Sequence, residues 1–188
     1  PKTDEIAWIP SNNKELSVNN LSLLVILNPI GEDLCRCFLE IIKGVLYKSH
    51  QNYKLSIKLH PSSQSYKNLP EEIFNGIDYT IFHLEDIHFL IKSADVVIST
   101  PSTVGSEAIA YYKPLLTMHF EDIKYTLAYE EYDCNIKFHD AESLLSYLED
   151  EQKLTSKLIN YDRFLKDYFF KLDRCSSIRI KDYITNDQ

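Results

Sequence analysis

The stretch from Ala94 to Pro114, ADVVISTPSTVGSEAIAYYKP, constrains the fold more than any other part of the chain. Asp95 to Ser99 reads as a strand buried on both faces, because its small and apolar residues run on without polar alternation. Thr100 to Gly105 is a polar turn, and the helix that follows keeps Val104, Ala108 and Ile109 on one core-facing side. Such a turn is held at the carboxyl end of a parallel strand, where open α/β sheets bind ligands.

The chemistry of the turn suits an anion. Thr103 or Ser102 can cap the helix and leave the N–H groups of Val104, Gly105 and Ser106 facing outward, and Gly105 has no side chain to hold a phosphate oxygen away. Thr100, Ser102 and Thr103 add hydroxyl donors. Glu107 follows in the first turns of the helix, placed to accept hydrogen bonds from vicinal hydroxyls such as those of a ribose. A phosphate in front and a diol beside it describe a nucleotide. The same residues also suit plain helix capping and dipole complementation with no ligand at all.

The rest of the chain alternates strand and helix. Leu21 to Leu27 is a hydrophobic strand that stops at Asn28-Pro29, with Gly31 completing the turn, and Glu32 to Ser49 carries Leu34, Phe38, Ile41, Ile42, Val45 and Leu46 at helical spacing. Tyr53 to Leu59 is a second strand, joined to the first through a helix and therefore parallel to it. Ser62 to Gly76 is a polar connection with a short helix near Glu71 to Phe74, and Tyr79 to Phe82 is a third strand followed by a helix over Glu85 to Ser93. Leu115 to His119 and Asn135 to Phe138 complete about six strands, and Asp140 caps a helix over Ala141 to Leu148. This pattern predicts an α/β fold: a single Rossmann-like, doubly wound parallel sheet with helices on both faces.

The ends differ in character. Pro1 to Asn20 is polar apart from Ile6 to Ile9 and reads as a linker or arriving segment, with Trp8 packing on the edge of a domain that spans 21 to 188. Glu151 to Leu172 places Leu154, Leu158, Tyr161, Leu165, Tyr168 and Leu172 on one helical face, and Ser176 to Ile184 forms a further C-terminal helix. Tyr161, Phe164, Tyr168, Phe169 and Phe170 either cover the domain's own edge or dock on something outside it.

Composition narrows the function classes. A chain of 188 residues fits one α/β domain with a full core. A net charge of -8 without a basic stripe argues against nucleic-acid binding, so a phosphate would have to be held locally. Cys35, Cys37, Cys134 and Cys175 show no metal spacing and read as reduced thiols of a cytoplasmic protein. No apolar run approaches the roughly 20 residues that span a bilayer, and the first residues lack a signal-peptide pattern.

A second chemical candidate is Lys58-Leu59-His60-Pro61. Lys58 and His60 share one face of a strand, and Pro61 fixes the exit and keeps His60 extended, so the imidazole is aimed. Beside a phosphate turn it could neutralise a leaving group.

Together, KLHPSS (Lys58 to Ser63) and the Ala94 to Pro114 stretch resemble the nucleotide-binding half of GT-B glycosyltransferases. They are most similar to bacterial surface-polysaccharide enzymes of the polysialyltransferase, capsule and CDP-glycerol transferase type, which carry a His-Pro motif and a Ser-rich motif. The resemblance covers Leu21 to Leu148, with a weaker echo in Ser176 to Ile184. It implies that His60, as the catalytic residue, and Ser102 and Thr103 contact the donor phosphate, helped by the N–H groups of Val104, Gly105 and Ser106. Glu107 would bind the ribose, and His83 would lie near the base.

The donor implied is a CMP-, CDP- or UDP-linked sugar, with no separate cofactor. Many GT-B enzymes carry a glutamate where this chain has Ser99, so the resemblance points to an inverting rather than a retaining enzyme. No Asp-x-Asp pair stands beside a strand end, and the expected chemistry is metal-independent. GT-B enzymes also need an N-terminal domain for the glycan acceptor, and this chain has room for one domain only. The expectation is therefore the C-terminal half of a longer protein, whose full length could touch a membrane peripherally. Two other readings stay open: a sugar-nucleotide 2-epimerase domain, and a non-catalytic Rossmann-like module for protein docking.

Overall fold

Hydrophobic runs bounded by turn residues become six parallel strands: β1 (Ser22–Leu27), β2 (Lys54–Leu59), β3 (Tyr79–Phe82), β4 (Val96–Ser99), β5 (Leu115–Met118) and β6 (Ile136–Phe138). The computed structural model describes residues 16–62, 66–121, 126–169 and 175–186. The strand order is β3-β2-β1-β4-β5-β6. The chain starts in the middle of the sheet, winds to one edge, returns beside β1 and winds to the other. Its order therefore reverses between β1 and β4, as in doubly wound α/β sheets. Register is set by rows such as Val25, which pairs with Ile57 on one side and Ile98 on the other.

The helices are α1 (Glu32–Lys48), α2 (Leu69–Ile73), α3 (Ile87–Ser93), α4 (Val104–Ala110), α5 (Ala128–Glu131), α6 (Ala141–Leu148), α7 (Glu151–Thr155), α8 (Tyr161–Phe169) and α9 (Ser176–Asn186). Alternate strand residues feed two cores. Leu23, Val25, Leu27, Val96, Ile98 and Leu116 pack with Phe38 and Leu39 of α1, Leu69 of α2, Leu144 of α6 and Leu154 of α7. Leu24, Ile26, Val97 and Leu115 face the opposite way, onto Ile91 of α3, Ala108 and Ile109 of α4, Tyr129 of α5 and Phe164 of α8. Asp140 caps α6 in a capping box with Ser143, whose N–H it accepts at 2.7 Å. Among the described residues no helix is long and apolar enough to cross a membrane.

Two expectations change. The single helix predicted over Glu151 to Leu172 is broken into α7, a 3-10 turn (Leu158–Asn160) and α8. The cause is the sheet: Leu154 buries in one core and Tyr161 in the other, so the chain must round the sheet's edge between them. The short helix α5 escapes the periodicity argument because its four residues are too few to show a face. The aromatics of α8 cover the domain's own flank: Tyr161 and Phe164 are fully buried, and Tyr168, half exposed, stacks on Phe164 at 5.0 Å between centroids. In the arriving segment, Leu16 packs against the first core. Trp8, Ser63, Phe170 and Leu172 lie outside the described residues.

Candidate functional site

The carboxyl ends of β1 and β4 are tied together where the strand order reverses. Asn28, just past β1, donates through Nδ2 to Thr100 O at 3.1 Å and to Thr100 Oγ1 at 3.0 Å. Asn28 is buried, so these bonds are shielded from water. The chain then turns through Gly31, whose φ of 99° suits glycine, and enters α1.

The end of β2 supplies His60. Its N–H extends the ladder to Leu27 O at 3.2 Å. The ring's Nδ1 accepts the Ser62 N–H at 3.2 Å and lies 2.7 Å from Ser62 Oγ. An Nδ1 that accepts carries no proton, which places the neutral ring's hydrogen on Nε2. Two residues earlier, the buried Lys58 donates to Leu59 O at 3.2 Å and to His83 O at 2.8 Å. Burial pushes the Lys58 ammonium below the usual lysine range, and the charge of Glu85 partly offsets this. Glu85 itself accepts the N–H groups of His83 and Leu84 at 2.7 and 3.0 Å. It is held below the usual carboxylate range first by its own backbone N–H, then by those two and the nearby Lys58.

The turn after β4 differs from its expected form. Thr103 occupies the N-cap position, but its side chain makes no capping bond. The Gly105 N–H donates to Ser102 O and the Ser106 N–H to Thr103 O, both at 3.1 Å, so these two groups close the turn. Val104 is left as the first helical residue whose N–H has no carbonyl acceptor among the described residues. Gly105 is glycine for packing: a Cβ there would lie 2.7 Å from Tyr129 Cε1 and 3.0 Å from Leu115 Cδ2. The Tyr129 hydroxyl brackets the turn, accepting the Ser102 N–H at 3.1 Å and donating to Ser102 O at 3.2 Å. The Ser102 hydroxyl oxygen is buried without a hydrogen-bond partner among the described residues.

These pieces frame a cavity of about 620 Å³ at the carboxyl edge of the sheet, between β1, β2 and β4. His60, His83, Ser102, Thr103, Val104 and Glu107 line it, with Glu107 itself about nine-tenths buried. Gly105 and Ser106 are not part of the lining. Asn28, Lys58 and Glu85 are; sequence reasoning set Lys58 on the strand face of His60 without a role, and did not bring Asn28 or Glu85 to the site. A polar residue that stops a strand, as Asn28 does, and a lysine inside a buried strand, as Lys58 is, were the available signals.

A parallel sheet of this order with a polar-rimmed cavity at its switch point defines a Rossmann-like domain with a candidate ligand site. No protein-family model matches the chain, and no curated protein matches its sequence. Among solved structures, the wall teichoic acid polymerase TagF superposes with a TM-score of 0.63 at 15% identity, over 92% of this chain and 44% of TagF. MnaA of S. aureus, solved with UDP, gives 0.58 at 13% identity, over 82% of this chain and 47% of MnaA. A trehalose-6-phosphate synthase, described as a retaining glycosyltransferase, gives 0.55 at 16% identity, over 96% of this chain and 49% of the synthase. At these identities the likeness is one of fold: a Rossmann-like domain of the GT-B kind. The chain spans less than half the length of each of these three structures.

Proposed function

We propose that the chain is the donor-binding domain of an inverting, metal-independent glycosyltransferase that builds a bacterial surface polysaccharide such as a capsule or lipooligosaccharide. The observation that carries this reading is the single cavity in which His60, the turn at Ser102 to Val104 and Glu107 meet, although they come from separate β–α units. Its neighbours in fold add support, since TagF has also been solved with CDPG and MnaA with UDP.

The donor's phosphate faces the Val104 N–H, the Ser102 and Thr103 hydroxyls and the Nε2–H of His60. Glu107 accepts the ribose hydroxyls, and His83 stands toward the base. An acceptor hydroxyl attacks the anomeric carbon from the face opposite the nucleotide. The bond from that carbon to the phosphate oxygen breaks, and the donors around the phosphate stabilise the charge that develops on it. The acceptor and the base that takes its proton belong to a partner domain, in a cytoplasmic protein that meets the membrane peripherally.

Isothermal titration with CMP, CDP and UDP, with and without magnesium, tests the reading. Micromolar to low-millimolar binding that is indifferent to magnesium is the expected result. Binding that requires magnesium would overturn the metal-independent mechanism. A full-length protein that released free nucleotide and a 2-epimerised sugar would be an epimerase instead. A complex with another protein that survives loss of the Glu107 carboxylate and needs no nucleotide would make the chain a docking module.

A further inference from the structure

Lys58 occupies the next-to-last position of β2, in register with Ile26 of β1 and Phe82 of β3, well inside a hydrophobic sheet. It is only 7% exposed. An aliphatic side chain would fill that place without the cost of burying an ammonium. Nζ donates to two main-chain carbonyls, Leu59 O and His83 O, which anchor it at the carboxyl edge and join β2 to the loop after β3. An ammonium has three donors, so one remains beyond those two bonds.

Electrostatics make this residue decisive. The protein's net charge is -8, and the cavity wall carries two carboxylates, Glu85 and Glu107. Lys58 is the one lysine or arginine in the lining among the described residues. The helix after the β4 turn is short, and the N–H groups of Gly105 and Ser106 are already bonded, so the turn alone offers an anion little. We infer that Lys58 is the charge-recognition residue of the cavity, its remaining N–H taking an oxygen of the anionic group of a nucleotide. This assignment rests on the nucleotide reading above and goes beyond it by moving the main anion contact from the β4 turn to the end of β2.

The groups that face Lys58 in the cavity are His60, His83, Glu85 and Glu107. Among the described residues the lining holds no cysteine, tyrosine or arginine, so Lys58 is its one side chain of a type whose ordinary range lies above pH 8. A loss of affinity in the alkaline range therefore belongs to the lysine. Its lowered pKa brings that loss into reach, since burial already favours the neutral amine.

The test is isothermal titration of the 188-residue chain and its K58M and K58R variants with CDP and UDP at pH 7, and with CDP also at pH 9.5, because the uracil ring of UDP itself ionises in that range. Wild type should bind one of them at pH 7 and lose affinity for CDP several-fold at pH 9.5. K58M should bind at least ten-fold more weakly at pH 7, with no further alkaline loss. K58R should keep measurable binding that is flat with pH, because its guanidinium stays charged. Wild-type affinity in K58M, or the same alkaline fall in K58R as in wild type, overturns the role of Lys58 while leaving a nucleotide site standing. If wild type binds neither nucleotide, the nucleotide reading itself fails and this assignment goes with it. Should K58M not fold, K58R and the wild-type pH profile still decide.

Discussion

Tyr129 and Ser102 hold each other by two hydrogen bonds through a single hydroxyl: it accepts the Ser102 N–H at 3.1 Å and donates to Ser102 O at 3.2 Å. Tyr129 comes from a short helix beyond β5, yet it fixes the backbone of the turn after β4 that lines the cavity. Its ring is fully buried, and burial raises the phenol far above the ordinary tyrosine range, so it remains a neutral donor and acceptor.

Y129F keeps the ring and removes the clamp. With a backbone N–H and C=O left unpaired in a partly buried turn, the expected loss is about 1–3 kcal/mol. It should appear as a lower urea midpoint with an unchanged slope. Nucleotide affinity should fall as well, because the turn that places Ser102 and Val104 is no longer braced. A variant with both the wild-type midpoint and the wild-type affinity would show that the turn holds its shape without the hydroxyl.

G105A tests the other side of the same contact. The added Cβ would stand 2.7 and 2.8 Å from Tyr129 Cε1 and Cζ, and both that ring and Leu115 are buried, so one of them must shift inside the core. A destabilisation of about 1–3 kcal/mol follows from such overpacking. Removing the ring should relieve part of it, so the cost of G105A measured in a Y129L background should be smaller than in wild type. Equal costs in the two backgrounds would mean that the clash is resolved elsewhere.

Such long-range contacts mark the limit of what the sequence discloses. The β4 strand, its turn and the His60-Pro61 exit are legible because local pattern decides them: an apolar run, a cluster of hydroxyls and a proline. The doubly wound parallel sheet follows from the alternation of strand and helix, and the six-stranded sheet agrees with it. Gly105 misleads, because a glycine admitted for a ring 24 positions later looks the same as one left open for a phosphate. The helix break after Thr155 is hidden as well: Leu154 and Tyr161 fit one helical face, and only the sheet's edge shows that they serve different cores. Lys58 reads only as a neighbour of His60 on one strand face until its two carbonyl partners are seen.

His60 should contribute to nucleotide binding through Nε2–H, since Ser62 occupies Nδ1. Loss of one hydrogen bond to a charged phosphate, worth about 1.5–3 kcal/mol, corresponds to roughly ten-fold or more in affinity for H60A. H60Q retains an amide N–H donor and should recover part of the loss. Both are measured by calorimetry in the same buffer as wild type. Affinities equal to wild type in both variants would remove His60 from the site.

The link from Asn28 to Thr100 predicts a pH signature. N28A deletes both bonds across the switch point and should cost about 1–3 kcal/mol by leaving Thr100 O and Oγ1 without their donor. N28D places a carboxyl in the same buried position, facing the Thr100 carbonyl at the 3.1 Å now spanned by an N–H. Burial and the opposing oxygen raise the folded-state pKa of that carboxyl above its unfolded value of about 3.9. The folded state then binds more protons than the unfolded one between these two pKa values, so the variant loses stability as pH rises through that window. Below it, the protonated acid can still donate to Thr100. Relative to wild type, N28D should therefore be milder than N28A near pH 4 and more damaging near pH 8, while the N28A deficit stays level. Urea titrations of the three proteins at both pH values give the comparison. Parallel behaviour of the two variants would mean that water, rather than Asn28, can satisfy Thr100 at the junction of β1 and β4.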